Sequence, residues 1–292
     1  MKKNAGSSKS TSDVRRMFRV LFGRGFIAKA SFVVVVLFII VALLANVIAP
    51  ADPLEQDLRN KLAGPSAKHL LGTDSLGRDV LSRIIYGAKI SLYSSVFAGL
   101  FGAFVGIVLG LLAGYYGGFV STIIMRLSDA QLSIPGIIFT LVIASVMGSG
   151  ILSLVIAIGL GMIPTYVRMM NGLVMSIKEN DYVVAANLIG QSQWKILVKH
   201  LFPNCFPSLI VLFTMNLGQG IMLEATLSYL GIGVIPPTPT WGGMVSDGYS
   251  YLTRVPLLAI APGICIILVI IAFNVLGDGL RDALDPRLRG KV

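Results

Sequence analysis

The sequence predicts an all-α polytopic membrane protein with six transmembrane helices. Of its 292 residues, 55% are hydrophobic and 13% are charged, and the mean hydropathy is +0.81. A soluble globular domain carries about 25% charged residues, so this chain has roughly half the charge that a water-facing surface needs. Long uncharged intervals recur along it, and a transmembrane helix needs about 20 apolar residues. These observations exclude a disordered or fibrous chain and indicate a bilayer as its solvent.

Uncharged intervals locate the spans in order. The first covers residues 31–49 and is long enough for an uncleaved anchor, although Ala49-Pro50-Ala51 leaves a cleaved signal peptide as the competing interpretation. The chain is uncharged from 130 to 167, too far for one helix, and Gly148-Ser149-Gly150 divides that interval into the third and fourth spans. The other spans are predicted at 90–116, 205–230 and 255–277. We therefore predict a cytoplasmic tail over residues 1–30, a first transmembrane helix over 31–49 and an extracytoplasmic loop over 50–89. A core with five transmembrane helices follows over 90–280, and a second cytoplasmic tail over 281–292.

Basic residues set the predicted orientation, because the cytoplasmic flanks of transmembrane helices carry an excess of Lys and Arg. The first 30 residues hold a block of basic side chains, which places the N-terminus in the cytoplasm. After six crossings the C-terminus returns there, and Arg281, Arg287, Arg289 and Lys291 agree. The net charge of +10 therefore favours contact with anionic membrane lipid over a nucleic-acid partner.

Small residues predict how the second span packs. On a helix, residues spaced by four form one stripe, where a second backbone can approach closely. The partner helix could belong to this chain or to another subunit. Pro135, Pro164 and Pro262 lie at membrane depth or its edge and can kink their helices. Arg126 could pair with Asp129 one helical turn away. The glycines of the stripe are Gly102, Gly106, Gly110, Gly114 and Gly118.

A helical hairpin is predicted between the fourth and fifth spans, in a cytoplasmic loop over residues 176–203. Ser176 and Glu179 fit a capping box that begins the first helix. Gly190 is well placed as the left-handed residue that ends it. Ser192 can cap a second short helix, which Pro203 should end.

Two kinds of side chain are candidates for function, and the histidines are not. Ala185 and Ala186 leave a shallow face on the hairpin that another protein could cover, and a hairpin lying on the membrane is the alternative. Glu224 is a carboxylate within the fifth span, so it is either part of a translocation path or a structural hydrogen-bond partner. His69 and His200 have no second ligand at a metal-binding spacing, and no metal site is predicted.

The hairpin segment resembles the EAA loop of permease subunits of ABC importers. That pattern is E-A-A, three residues, G, nine residues and I-x-L-P. This chain has Val184-Ala185-Ala186, then Gly190, then His200, Phe202 and Pro203 at the same spacing. Val184 stands where the pattern has Glu, so an ion pair at that position is not carried over.

Three further stretches are similar to the C-type permease subunit of the dipeptide/oligopeptide/nickel family. They cover nearly the whole chain in order. The first lies ahead of the second span, the second at the end of the fifth span, and the third at the C-terminus. They are Gly72–Arg83 with Tyr86-Gly87-Ala88, Glu224–Gly233 with Pro236-Pro237 and Trp241-Gly242, and Leu276–Arg287.

The resemblance implies a type I ABC importer permease with six spans in the cell membrane. In that family two different permeases pair to form the translocation path, two ATPase subunits dock beneath them, and an extracytoplasmic substrate-binding protein delivers cargo. ATP and Mg are then expected on the ATPases, since this chain has no G-x-x-x-x-G-K-[ST] loop; no cofactor is expected here. The implied ATPase-coupling residues are Asp181, Tyr182, Val184, Ala185, Ala186 and Gly190.

Dipeptides or oligopeptides are the expected cargo, because peptide transport is the commoner activity in the resembling family. Nickel, or another small solute such as glutathione, is an alternative on the same architecture. A membrane-embedded enzyme is a different class, and the sequence lacks H-E-x-x-H and G-x-S-x-G motifs. A stand-alone secondary transporter would place coupling charges at the midplane, where the predicted spans offer almost none.

Overall fold

A computed structural model describes residues 26–284, and over that range the chain consists of helices joined by loops and turns. The parts of the predicted tails at 1–25 and 285–292 lie outside the described residues. A 3-10 turn occurs at Leu58–Asn60 and a π turn at Leu197–Leu201. The α-helices are α1 (Phe26–Leu43), α2 (Ala45–Ile48), α3 (Val80–Tyr116), α4 (Gly118–Leu132), α5 (Gly136–Met147), α6 (Ile151–Lys178), α7 (Asp181–Leu188), α8 (Gln193–Ile196), α9 (Phe202–Tyr229), α10 (Trp241–Tyr249) and α11 (Leu257–Leu284).

Five helices of the described chain are long and apolar enough to cross a membrane: α1, α3, α6, α11 and the continuous helix Gln193–Tyr229. A sixth crossing is formed by α4 and α5, which are bent by 93° relative to each other. Pro135 stands at this break; it has no N–H for a continuing helix and disfavours helical backbone at the residue before it. The predicted all-α fold with six spans is confirmed, and its third span is broken.

One end of the bundle carries the helical hairpin. Here Lys178 Nζ at the end of α6 donates to Gly114 O near the end of α3, at 3.0 Å. Tyr116 Oη donates to Gln193 Oε1 of the hairpin at 3.3 Å. Residues 181–201 are called the hairpin below, and this end of the bundle is the hairpin end.

Two loop segments cover the opposite end of the bundle and form what is called the cap, residues 49–79 and 231–256. Trp241 fastens the cap to the spans, because its fully buried ring donates Nε1–H to Ile84 O at 3.0 Å. The ring also meets Phe38 of α1 edge-on, with centroids 5.4 Å apart. Gly242 follows, and the backbone of Ala225 leaves no room there for a side chain.

Arg83 of α3 joins the two cap segments, and a buried ion-pair cluster holds it in place. Arg78 Nε lies 2.6 Å from Asp74 Oδ2, and Arg83 Nε lies 3.4 Å from the same oxygen. Arg83 also donates Nη1–H to Pro53 O at 3.1 Å and to Pro237 O at 3.4 Å, one carbonyl in each cap segment. Because these charges are buried, removing one partner would strand the others away from water.

The glycine stripe of α3 packs against α6 of the same chain, which answers the question of its partner. A Cβ atom at Gly102 would lie 2.6 Å from Gly159 O, and one at Gly106 would lie 2.6 Å from Tyr166 Cβ. Gly118 is not part of the stripe, since it begins α4 and has open space around it. Gly110 and Gly114 also face α6.

Helix α4 lies along α6, and this contact changes one predicted ion pair. Asp129 Oδ1 accepts from Arg168 Nη2 of α6 at 2.6 Å, so the predicted pairing with Arg126 is wrong. Gln131 Nε2 donates to Leu160 O of α6 at 2.7 Å. These two polar contacts hold one face of α4 against α6. Asp129 therefore pairs with Arg168 of α6 and not with Arg126 of its own helix.

Candidate coupling site

Helix α6 continues through the position where the sequence predicts the hairpin to start. Ser176 lies inside α6, and α7 begins at Asp181 with Asn180 as its N-cap residue. The predicted capping box of Ser176 and Glu179 is therefore wrong. Helix α6 continues to Lys178, and Val174, just before its last turn, is fully buried against the hairpin.

The first hairpin helix ends in a Schellman turn at the predicted glycine. Gly190 has φ +74°, the left-handed conformation that glycine adopts without strain. Gln191 N donates to Ala186 O at 3.1 Å, and Gly190 N donates to Asn187 O at 3.0 Å, which is the bonding pattern of this motif. His200 Nε2 lies 3.0 Å from Gln191 Oε1 and ties the turn to the second half of the hairpin.

Pro203 does not end the second hairpin helix, and that prediction is wrong. The helix runs unbroken into the fifth span as Gln193–Tyr229. A proline inside an α-helix lacks a donor and crowds the preceding turn. Here the preceding turn is widened into a π turn, in which Phe202 N donates to Leu197 O five residues back. The hairpin is thus rigidly continuous with the fifth span.

One face of α7 is buried against the spans. Val183 and Ala186 point inward, and Ala186 is only 6% exposed. A small side chain is required where the hairpin lies this close to the spans. Their neighbours in the cluster come from α6, the second hairpin helix and α9: Met170, Val174, Ile196, Leu197, Leu201, Cys205 and Leu209.

The other face of the hairpin is exposed and apolar around Gly190. Leu188, Ile189 and Trp194 are 82%, 81% and 73% exposed; these three side chains are called the knob. Five of the six predicted coupling residues share this outward exposure, and Ala186 does not. The five are Asp181, Tyr182, Val184, Ala185 and Gly190.

Sequence reasoning missed the knob, although a signal for it exists. Leu188 and Ile189 directly precede the turn glycine, and Trp194 follows it within a segment that also holds Lys195. Large apolar residues at a turn of a water-facing loop are unusual unless something covers them. That signal needs knowledge of which helix face is buried, which the sequence pattern does not supply.

Glu224 lies in the interior of the described chain rather than on an open face. Its side chain is fully buried, and Oε1 accepts from Ser228 Oγ at 2.8 Å. The hydroxyls of Ser91 on α3 and Thr240 in the cap also face the carboxyl. By distance and angle its one hydrogen bond among the described residues comes from Ser228 on the same helix, and its Oε2 is buried without a partner.

Two protein-family models match the chain. The family described as "Binding-protein-dependent transport system inner membrane component" matches residues 106–290, and "N-terminal TM domain of oligopeptide transport permease C" matches residues 21–65. The chain belongs to the binding-protein-dependent permease family. The predicted identity as a C-type ABC importer permease is confirmed. This permease is a multi-pass inner-membrane component and a transport subunit, not an ATPase.

Curated relatives cover almost the same length as the permease. The glutathione transport system permease protein GsiD of Shigella flexneri serotype 5b (strain 8401) is 43% identical over 270 residues, which are 92% of this chain and 89% of that protein. The protein of the same name from Escherichia coli O157:H7 gives the same identity and coverage.

A solved structure shares the fold. The inward-facing MetNI methionine ABC transporter matches with a TM-score of 0.57 and 17% sequence identity, over 70% of the permease and 97% of that chain. At this identity the likeness shows the fold alone, and it agrees with the type I permease arrangement.

Proposed function

We propose that this permease forms, with a second permease subunit, the path by which an ATP-driven importer moves short peptides across the cell membrane. The hairpin would transmit the movement of two ATPase subunits to the spans. Its exposed knob is the single observation that carries this assignment. ATP and Mg would be held by the ATPases, and a substrate-binding protein would dock on the cap.

A peptide cargo is supported by the relatives. One matching family model describes oligopeptide permeases, and GsiD is named for glutathione, which is itself a tripeptide. The two differ in size and linkage but share peptide bonds and terminal charges. Dipeptides and oligopeptides therefore take precedence as cargo, with glutathione as the first alternative and nickel as the second.

The position of the hairpin argues that the knob faces another protein. Helix α6 runs from Ile151 to Lys178, which at 1.5 Å per residue is about 40 Å. The hydrocarbon core of a bilayer is about 30 Å thick. The hairpin follows Lys178 and so lies beyond the hydrocarbon, where Leu188 and Ile189 would otherwise meet water.

Because the hairpin is continuous with α9, movement of the hairpin would be transmitted to the fifth span. A protein that grips the knob would move the helix Gln193–Tyr229 directly, since no loop intervenes. Interfaces usually depend on a few buried apolar anchors, and Trp194 with the two aliphatic residues fits that description. Lys178, Lys195 and Lys199 at this end agree with a cytoplasmic location.

The knob is tested by the double variant Leu188→Ala/Ile189→Ala. Loss of these anchors should weaken the contact by several kcal/mol, so retention of the ATPases during purification should fall at least about tenfold. ATP-driven peptide uptake should fall with it. The control is Leu70→Ala, an apolar position on the cap that is 60% exposed. Wild-type ATPase retention by the double variant would refute the assignment.

The cargo is tested separately by competition. Reconstituted complex with its binding protein is given a labelled dipeptide together with an excess of a longer peptide, glutathione or Ni²⁺. Competition by peptides is the expected result. Uptake blocked by Ni²⁺ and insensitive to peptides would replace the proposed cargo while leaving the coupling site in place.

A further inference from the structure

One face of α9 remains open along the whole span. Its residues follow a three-and-four spacing, which places them on one side of a helix. Every one of them is at least partly exposed in the described chain. They are Ser208, Leu212, Met215, Gln219, Met222, Thr226 and Tyr229, and together they are called the α9 stripe.

Two open cavities lie on this stripe, one toward each end of the span. The cavity at the hairpin end has a volume of about 340 Å³ and includes Leu212 and Met215, with Arg281 of α11 on its rim. The cavity at the cap end has a volume of about 270 Å³ and includes Met222 and Thr226. Small-molecule sites commonly start at about 300 Å³, so each cavity has room for part of a small molecule.

Gln219 stands between the two cavities at the middle of the membrane. It is ten residues from Tyr229, hence about 15 Å below the cap end of the helix, or half the thickness of the hydrocarbon core. Gln219 is exposed in the described chain. Asn274 of α11 is exposed as well, and its Oδ1 lies 3.4 Å from where a Cβ of Gly218 would be.

Two exposed amides at mid-membrane are costly if they face lipid. Hydrocarbon offers no hydrogen bond, and an unsatisfied polar group there costs several kcal/mol. The stripe therefore faces something that can hydrogen-bond. Glu224, five residues further along α9, is fully buried on another side of the helix and does not reach this face.

We propose that Gln219 contacts the backbone of the cargo peptide at mid-membrane, with Met215 and Met222 as adaptable walls on either side. This inference rests on the proposed function. A carboxamide offers the donor and the acceptor that a peptide bond needs. Thioether side chains fit many shapes and serve surfaces that bind varied partners. A neutral amide between methionines thus favours peptides in general over one side chain in particular.

The cargo fits this face better than a second permease helix. A packed helix would meet a continuous ridge, whereas the stripe has a concavity on each side of Gln219. The stripe also runs the full length of the span, from Ser208 near the hairpin end to Tyr229 near the cap. A path needs that continuity, while a local subunit contact does not.

The test is a pair of charge variants, Gln219→Glu and Gln219→Lys, assayed in the reconstituted complex. Uptake is measured for two peptides of equal length, one with a Lys side chain and one with a Glu side chain. Because opposite charges attract strongly near a low-dielectric site, the Lys/Glu uptake ratio should rise at least about tenfold in Gln219→Glu and fall as much in Gln219→Lys. The control Ile210→Gln lies on the opposite side of α9 and should leave the ratio unchanged.

Each alternative occupant predicts a different result. If the stripe packs against the second permease, both charge variants should lose that subunit and all uptake equally. If it faces lipid, the ratio should stay at its wild-type value. Either outcome overturns the inference.

A labelling experiment separates this inference from the choice of cargo. The Gln219→Cys thiol should react with a charged, water-soluble thiosulfonate, and saturating peptide should slow that reaction. Ile210→Cys should stay unreactive. The unsubstituted permease, with Cys205 buried and Cys265 partly exposed, gives the baseline. If the wild-type complex moves no peptide but the Gln219→Cys thiol still reacts, the proposed cargo fails and the path stands. An unreactive Gln219→Cys thiol overturns the path itself.

Discussion

The two ends of the permease differ in the burial of their tryptophans. At the cap, Trp241 is fully buried, hydrogen-bonded to Ile84 and packed against Phe38. At the hairpin, Trp194 is 73% exposed. The cap buries Trp241 within the chain although it exposes Leu70 and Tyr249, whereas the hairpin leaves Trp194 open beside Leu188 and Ile189. Trp241 is therefore a structural anchor, and Trp194 belongs to an apolar face that a partner can cover.

The largest expected effect comes from truncating these two tryptophans in parallel. Trp241→Ala removes a buried ring and its hydrogen bond, so it should lower the free energy of unfolding by about 3–5 kcal/mol. Trp194→Ala removes an exposed ring and should leave that free energy within about 0.5 kcal/mol. Thermal unfolding in detergent measures both, and ATPase retention should follow the opposite order.

This pair is informative because the substitution is the same at both ends. Equal losses of stability would mean that the hairpin closes on its own chain and has no face left for a partner. Loss of ATPase retention in Trp241→Ala at a temperature where it stays folded would mean that the cap is coupled to the hairpin end. Both results contradict the separation described above.

The second prediction concerns the charges of the cap. Asp74→Ala should cost about 3 kcal/mol, because Arg78 and Arg83 would stay buried without their shared carboxylate. Asp57→Ala is the matched control in the same segment. Its exposed carboxyl accepts from Arg59 N and Asn60 Nδ2, and such a local cap contributes about 1 kcal/mol.

Chemical denaturation in detergent distinguishes the two aspartates, and neither change should alter ATPase retention. A loss for Asp74→Ala no larger than that for Asp57→Ala would show that water reaches the cap network. Such a result would contradict the burial of these ion pairs.

Local signals explain what the sequence predicted well. Uncharged intervals of sufficient length mark the spans, and Pro135 marks the break in the third span. Gly190 was predictable for the same reason, because only a residue tolerant of positive φ ends a helix in this way. These features depend on a few neighbouring residues, so the chain alone specifies them.

Tertiary contacts explain what the sequence predicted wrongly. Ser176 has the chemistry of a cap residue, but packing of α6 against the hairpin carries the helix past it. Pro203 has the chemistry of a helix end, but a widened π turn absorbs it. The roles of Ala186 and Glu224 depend on which elements lie beside them, and no periodicity in the sequence identifies those elements.

The third prediction concerns two adjacent alanines of the hairpin, of which Ala185 is exposed and Ala186 is buried. Ala186→Trp forces a large ring into the contact with α6 and the fifth span, and overpacking of this kind costs about 1–3 kcal/mol. Ala185 is exposed, so Ala185→Trp should leave the fold intact and instead obstruct the partner beside the knob. Both variants should lose ATP-driven uptake, but for different reasons.

Hydrogen exchange at the hairpin amides tells these reasons apart. Exchange should accelerate in Ala186→Trp, since the hairpin is loosened from the spans, and stay at the wild-type rate in Ala185→Trp. ATPase retention at low temperature should then recover in part for Ala186→Trp and not for Ala185→Trp, because a loosened hairpin can refold on its partner while a blocked face cannot. Wild-type uptake in Ala185→Trp would place the ATPase contact elsewhere, and wild-type exchange in Ala186→Trp would mean that this face of α7 is not packed against the spans.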